Sequence, residues 1–151
     1  MALVLARSSA AQPRSGPAPD FTLTSYDGET ITMSGLRGQV VVINFWASWC
    51  DYCADEAPDL ERAWQDYRDQ GVVFVGVDYK DSDAEGRKFI ERYGITYLNG
   101  PDLGNRISNM FVIVGMPETF IIDRQGEIVF FAMRPLFFEE LSAEIEKLLG
   151  S

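Results

Sequence analysis

The chain reads as an α/β domain in which a central mixed β-sheet is flanked by helices on both faces. Three observations predict this. The runs Val40 to Trp46 and Val72 to Val77 are rich in β-branched residues and look like strands buried on both sides. Each is followed by a segment with helical periodicity, and strand–helix–strand alternation implies parallel pairing. Two further strands and a last amphipathic stretch then supply a terminal hairpin and a closing helix. The 151 residues, 46% of them hydrophobic, suffice for one domain with one core.

Taken in order, Phe21 to Thr24 alternates, Tyr26-Asp27-Gly28 offers turn chemistry, and Glu29 to Thr32 alternates again, which predicts an N-terminal β-hairpin. Ser34 is placed to cap a short helical turn before Gly38. After the first buried strand, residues 50 to 70 turn helical, with Leu60, Ala63, Trp64 and Tyr67 at spacings of three and four and Gly71 as the stop. Pro58 lies inside that helix and is expected to kink it. Ser82 to Tyr93 predicts a second helix with Phe89, Ile90 and Tyr93 on one side. Between Ile95 and Val114 a short strand and a helical stretch near Leu103 to Phe111 are expected. Thr119 to Ile122 and Ile128 to Met133 flank the turn Asp123-Arg124-Gln125-Gly126, and Leu136 to Leu149 closes the chain as a helix.

Residues 1–18 read as a flexible lead-in to a domain over 19–151. Met1 to Ala6 is apolar but too short for a signal-peptide core, so it suggests a remnant or the stub of an anchor. Arg7 to Pro19 is rich in Ser, Ala, Gly and Pro. No run of about 20 apolar residues is present, so no membrane span is expected.

Charge narrows the function. With 13 basic against 23 acidic residues and a net charge of −10, neither nucleic acid nor an anionic lipid surface is the expected partner. Two cysteines and no histidine argue against a zinc site, which needs about four ligands, and remove the histidine-dependent hydrolytic triads. No metal and no cofactor are expected. Redox chemistry at one dithiol remains.

That dithiol, Cys50 and Cys53, follows a buried strand and opens a helix. Unpaired N–H groups at a helix start, together with the helix dipole, stabilise a thiolate there. Two intervening residues bring Cys53 back over Cys50 within one turn, so the second thiol can resolve a mixed disulfide formed by the first. The plainer reading is an inert disulfide, but the loop it would close is tiny and gains least from closure. A zinc half-site shared between two chains is a weaker alternative still.

At these residues the chain resembles a known family. The segment Phe45 to Cys53, with Pro58 five residues on, looks like the thioredoxin active-site segment. Gly115 to Asp123 resembles the cis-proline loop and strand of that superfamily. Pro19-Asp20-Phe21, Leu36 to Val41 and Asn44-Phe45-Trp46 are most similar to the extracytoplasmic branch typified by TlpA, ResA and CcmG. These are membrane-tethered thiol–disulfide oxidoreductases, several of which serve cytochrome c maturation. The resemblance spans roughly residues 19 to 149 and implies a thioredoxin-like fold, with residues 79 to 113 long enough for the branch's extra central segment.

The resemblance also implies roles. Glu56, three residues after Cys53, matches an acidic residue that the branch keeps beside the dithiol. A carboxylate there would move protons to and from Cys53; the plainer reading is helix-start charge complementarity, which Asp55 would serve equally. Asn44 stands where ordinary thioredoxins carry a buried Asp, which leaves Glu56 as the proton carrier. Pro117 matches the cis-proline, which would present the Met116 backbone to an extended substrate. Trp49 is expected to shield the dithiol and offer an apolar contact, and Trp46 to belong to the core. The dipeptide Asp51-Tyr52 departs from the family pattern, in which many relatives have Pro, and strongly oxidising members often His, at the second position; Asp51 adds negative charge beside Cys50 and favours a more reducing couple than a His-containing motif would give.

The implied function is reduction of protein disulfides by Cys50 and Cys53, recharged by a membrane thiol electron donor, in a monomer outside the cytoplasm. A folding oxidase with the same dithiol is the main rival. A peroxide reductase is disfavoured because Ala47 stands where related peroxidases place Thr or Ser, and a copper carrier because the chain has no His.

Overall fold

The computed structural model describes residues 11–150. A six-stranded sheet has the order β1-β8-β7-β4-β5-β6, where the strands are Gly16–Pro17 (β1), Val40–Trp46 (β4), Val72–Asp78 (β5), Leu98–Pro101 (β6), Glu118–Ile122 (β7) and Glu127–Ala132 (β8). A separate two-stranded hairpin joins Thr22–Thr24 (β2) to Thr30–Thr32 (β3). The helices are Asp51–Tyr67 (α1), Asp83–Arg92 (α2), Arg106–Met110 (α3) and Phe138–Leu149 (α4), with 3-10 turns at Ser34–Leu36 and Leu103–Asn105.

The expected mixed sheet is present. β4 runs parallel to β5 and antiparallel to β7, and β5 runs parallel to β6, so the β-branched runs form the centre. All seven residues of β4 are buried, as a strand covered on both faces requires. Its alternate side chains divide two cores. Val40, Val42 and Trp46 pack with Leu60, Ala63, Phe74, Phe89, Leu141 and Ile145 under α1, α2 and α4. Val41, Ile43 and Phe45 pack with Phe21, Leu23, Ile107, Phe111 and Phe120 beneath the hairpin and α3. Burying a side chain of this size contributes about 1.5–3 kcal/mol. Both layers therefore fix where the C-terminal end of β4 delivers the dithiol.

α1 runs as one helix through the exposed Pro58. Three details differ from expectation. Ser34 caps nothing through its side chain; instead its N–H donates to Asp20 Oδ1 at 2.9 Å. The closing helix begins at Phe138 rather than Leu136, because the Leu136 N–H is bound to Glu56. Within the expected lead-in, Gly16–Pro17 pairs with Ile128 and Glu127, and the Ala18 N–H reaches the Gly126 carbonyl at 2.9 Å. Met1 to Ala6 lies outside the described residues. Pro17 and Pro101 stand on the two edge strands, where a missing N–H costs no ladder bond and discourages pairing with another chain.

Candidate active site

β4 ends at Trp46, a turn follows, and α1 starts at Asp51 with Cys50 as its N-cap. Cys50 and Cys53 are joined as a disulfide with their Cα atoms 5.2 Å apart. Cys50 Sγ accepts the Cys53 N–H at 3.1 Å, so one unpaired donor of the helix start points at the sulfur. Cys50 is only 6% exposed and Cys53 2%, which leaves the first sulfur as the one an incoming group meets.

That sulfur lies in an open groove of about 460 Å³ lined by Trp49, Cys50, Asp51, Tyr52, Tyr79 and the segment Ile113 to Met116. Trp49 is 58% exposed, with its indole N–H donated to the Lys80 carbonyl at 3.1 Å. Tyr52 and Val114 are also exposed, so the rim is largely apolar. The Met116–Pro117 peptide bond is cis. Met116 lines the groove, whereas Pro117 is buried behind it.

Glu56 is not in the groove. It is fully buried on α1, three residues beyond Cys53 and hence on the same helical face. Oε1 accepts the Asn44 side-chain amide at 2.7 Å and Oε2 the Leu136 N–H at 2.9 Å. Burial pushes its pKa up to about 7 while these two donors pull it down. Asn44 also donates to Thr119 Oγ1 at 3.0 Å, which ties Glu56 to the strand that leaves the cis-proline loop. Trp46 is core, as expected: it stacks on Phe89 with ring centroids 4.7 Å apart, and its N–H donates to Asn99.

Several residues of the site were not singled out by sequence reading. Glu118 is fully buried and accepts the Val114 and Gly115 N–H groups at 2.9 and 3.2 Å and the Gln12 amide at 2.6 Å, pinning the groove wall. Its local motif was visible, but the three donors it gathers were not. Asn99 fills the space above Gly76, where a Cβ would lie 1.6 Å from Asn99 Oδ1. A glycine inside a β-branched strand was the signal for that close approach. Among the described residues no group of three or more acidic, Cys or His side chains is arranged to hold a metal.

Residues 15–131 match the AhpC/TSA family. The chain belongs to that family, on its thioredoxin-like branch. Thiol-disulfide oxidoreductase ResA of Geobacillus kaustophilus is 31% identical over 131 residues, 87% of this chain and 75% of that protein. ResA of Bacillus thuringiensis is 30% identical over 74% of this chain, which spans 65% of that relative's length. A crystal structure of a putative thiol:disulfide interchange protein DsbE from Chlorobium tepidum superposes with a TM-score of 0.83 at 28% identity, covering 93% of this chain and all of the other. These relatives fit the TlpA/ResA/CcmG-like branch that the motifs suggested.

Proposed function

We propose that this domain is a thiol–disulfide oxidoreductase that reduces disulfides in other proteins. The observation that carries the reading is a bonded Cys50–Cys53 pair at the start of α1, its first sulfur reached by a helix N–H and set in an apolar groove beside a cis-proline loop. In the reduced domain the Cys50 thiolate attacks one sulfur of the substrate disulfide. A Cys50–substrate bond forms, and the other substrate sulfur leaves with the electron pair and takes up a proton. Glu56 then removes the Cys53 proton, and the Cys53 thiolate attacks Cys50 Sγ. The second substrate sulfur is released, and the Cys50–Cys53 bond carries the two-electron oxidation. A carboxyl that titrates near pH 7 can accept that proton and later return it.

Direction follows from charge. Asp51 stands exposed beside Cys50, and its carboxylate opposes the thiolate against the pull of the helix start. This disfavours the reduced thiolate form and makes the couple a better electron donor. Trp49 and Met116 are read as the substrate-binding side of the groove, with Pro117 acting from behind by setting the Met116 backbone. A membrane dithiol carrier is the matching electron source, and an extracytoplasmic place, with a role in cytochrome c maturation, is consistent with the branch. Among the described residues no helix is long and apolar enough to cross a membrane.

The equilibrium midpoint of Cys50–Cys53 against a dithiothreitol or glutathione buffer tests the reading. A value below about −220 mV is expected for a reductase. A value near −120 mV, roughly that of a strong oxidant, reverses the direction of electron flow. Absence of any reversible two-electron transition refutes the catalytic reading.

A further inference from the structure

The three residues between the end of β4 and Cys50 belong to no helix, and they are held by the segment between β5 and α2. The Trp46 carbonyl accepts the Tyr79 N–H at 2.8 Å, and the Lys80 carbonyl accepts the Trp49 indole N–H. Asp81 makes the remaining attachment. Its Oδ2 accepts the Ser48 N–H at 2.8 Å, while Oδ1 accepts the Ser48 hydroxyl at 2.8 Å and the Ser82 N–H at 3.0 Å. Three donors converge on this one carboxylate. Lys80 sits at φ +46°, a left-handed conformation that aims its carbonyl and its neighbour's carboxylate at the same turn.

Behind Asp81 lies Asp78, the last residue of β5 and 2% exposed. Its Oδ2 accepts the Tyr26 hydroxyl at 2.7 Å, but Oδ1 is buried and meets no donor. The nearby carboxyl of Asp81 interacts with that of Asp78 and opposes its ionisation, and Asp83 at the start of α2 adds further negative charge. From the hairpin, Tyr26 stays protonated, because burial and Asp78 push its phenol well above the usual value. The Arg87 guanidinium is committed to the Tyr26 ring, 4.9 Å from its centroid, and to the Tyr26 carbonyl. Gly86 closes the chamber, since a Cβ there would lie 2.1 Å from Asp78 Oδ2. A buried carboxylate with one oxygen unpartnered, beside the half-buried carboxylate of Asp81, is costly. A proton on Asp78 Oδ1, donated to Asp81, supplies the missing bond and removes the repulsion.

We propose that Asp81 is a positioning residue for Cys50, and that a proton carried by Asp78 holds Asp81 against Ser48, so that the turn before the dithiol loosens when that proton is lost. Asp78 acts at a distance from the sulfur, through Asp81 and Ser48. The activity consequence rests on the redox reading of Cys50; the latch itself does not. Burial and Asp81 raise the Asp78 pKa to about 8, which places the loosening at mildly alkaline pH.

The test uses Asp78→Asn, whose Oδ1 accepts from Tyr26 and whose Nδ2 donates permanently to Asp81, together with Asp81→Asn and Ser48→Ala. Reduced wild type and variants are reacted with a neutral dipyridyl disulfide across the alkaline range, and amide exchange of Ser48 is followed in the oxidised proteins. The rate ratio of Asp78→Asn to wild type cancels the Cys50 titration they share. It is expected near one at neutral pH, rising about three-fold above pH 8, with Ser48 protection kept in Asp78→Asn. Asp81→Asn is expected to lose that protection and, with a protein disulfide as substrate, to raise KM about five-fold with little change in kcat, because Trp49 is displaced. Ser48→Ala, which keeps the N–H bond, is expected to lose protection only partly.

A rate ratio flat with pH, or Ser48 protection unchanged in Asp81→Asn, overturns the proposal. A faster Asp81→Asn reaction does so too, because the carboxylate would then act only by its charge. Should the wild type itself fail to reduce the disulfide, the redox reading falls, and Ser48 exchange still judges the latch.

Discussion

Two buried carboxyl groups, one on the dithiol's own helix and one at the end of the neighbouring strand, meet different partners. Glu56, on α1, is fully buried yet meets two N–H donors, from Asn44 and Leu136. Asp78, at the end of β5, meets one hydroxyl donor and faces Asp81 and Asp83. Burial raises both, but the donors around Glu56 pull it back to about 7, whereas the acids around Asp78 push it on to about 8. The first group is thereby poised to exchange a proton during turnover, and the second to keep one at neutral pH. Desolvation alone makes a carboxyl unusual; the kind of partner decides what it can do.

The largest expected effect comes from breaking the first member. Glu56→Gln retains the size of the side chain but cannot take the Cys53 proton. Steady-state reduction of a protein disulfide is expected to fall by about two orders of magnitude, within the span typical of a general base. The limb of the wild-type pH–rate profile near pH 7 should vanish with it. A profile unchanged in shape would show that Glu56 is structural and that the contrast with Asp78 has no functional meaning.

Stability against pH sharpens the same contrast. Glu56 has a folded-state pKa raised from 4.5 to about 7, so its favourable contribution is complete below about pH 4.5 and is lost as pH rises through 7. The loss amounts to roughly 3 kcal/mol. Asp78, raised from 3.8 to about 8, adds a parallel decline that begins below about pH 5 and ends near pH 8. Chemical denaturation of the oxidised protein is expected to show stability falling steeply up to about pH 7, less steeply up to about pH 8, and then levelling. Asp78→Asn should make the fall below about pH 7 shallower and abolish the part between about 7 and 8. A decline of unchanged slope and end point in that variant would mean that Asp78 carries no proton to lose.

A smaller effect is expected at Asn44, whose amide bridges Glu56 and Thr119. Asn44→Ala removes one of the two donors that lower Glu56, so the carboxyl should titrate about one unit higher. Its signal in isotope-edited infrared spectra is the direct measurement. A downward movement would contradict the assignment of burial as the force opposing those donors.

The contrast marks what a sequence can carry. The dithiol, its helix, the buried β4 and β5 and the hairpin are written in local period and short motifs, which is why residues 40–67 read nearly as they fold. The Glu56 position also lay inside a motif, three residues from Cys53. Asp78, Tyr26 and Asp81 did not, since their meeting joins a hairpin turn, a strand end and a loop far apart in the chain. Gly16–Pro17 was hidden for the same reason: a Pro- and Ser-rich stretch reads as loose until a sheet edge is there to receive it. Glu118 shows the limit most plainly. An acidic residue in a strand motif gives no hint that Val114, Gly115 and Gln12 will all turn their N–H groups toward it.

The smallest expected effect probes the lone donor of Asp78. Tyr26→Phe deletes the hydroxyl that accompanies Oδ2 and leaves the ring beneath Arg87. Removing that bond costs about 1–2 kcal/mol of stability at neutral pH. It should also drive Asp78 further upward, because the donor that favours its charged form is gone. The pH at which stability stops falling would then move higher, while the change of slope near about pH 7 stays in place. If both moved together, the two carboxyls would be one coupled system, and each could no longer be assigned its own partners.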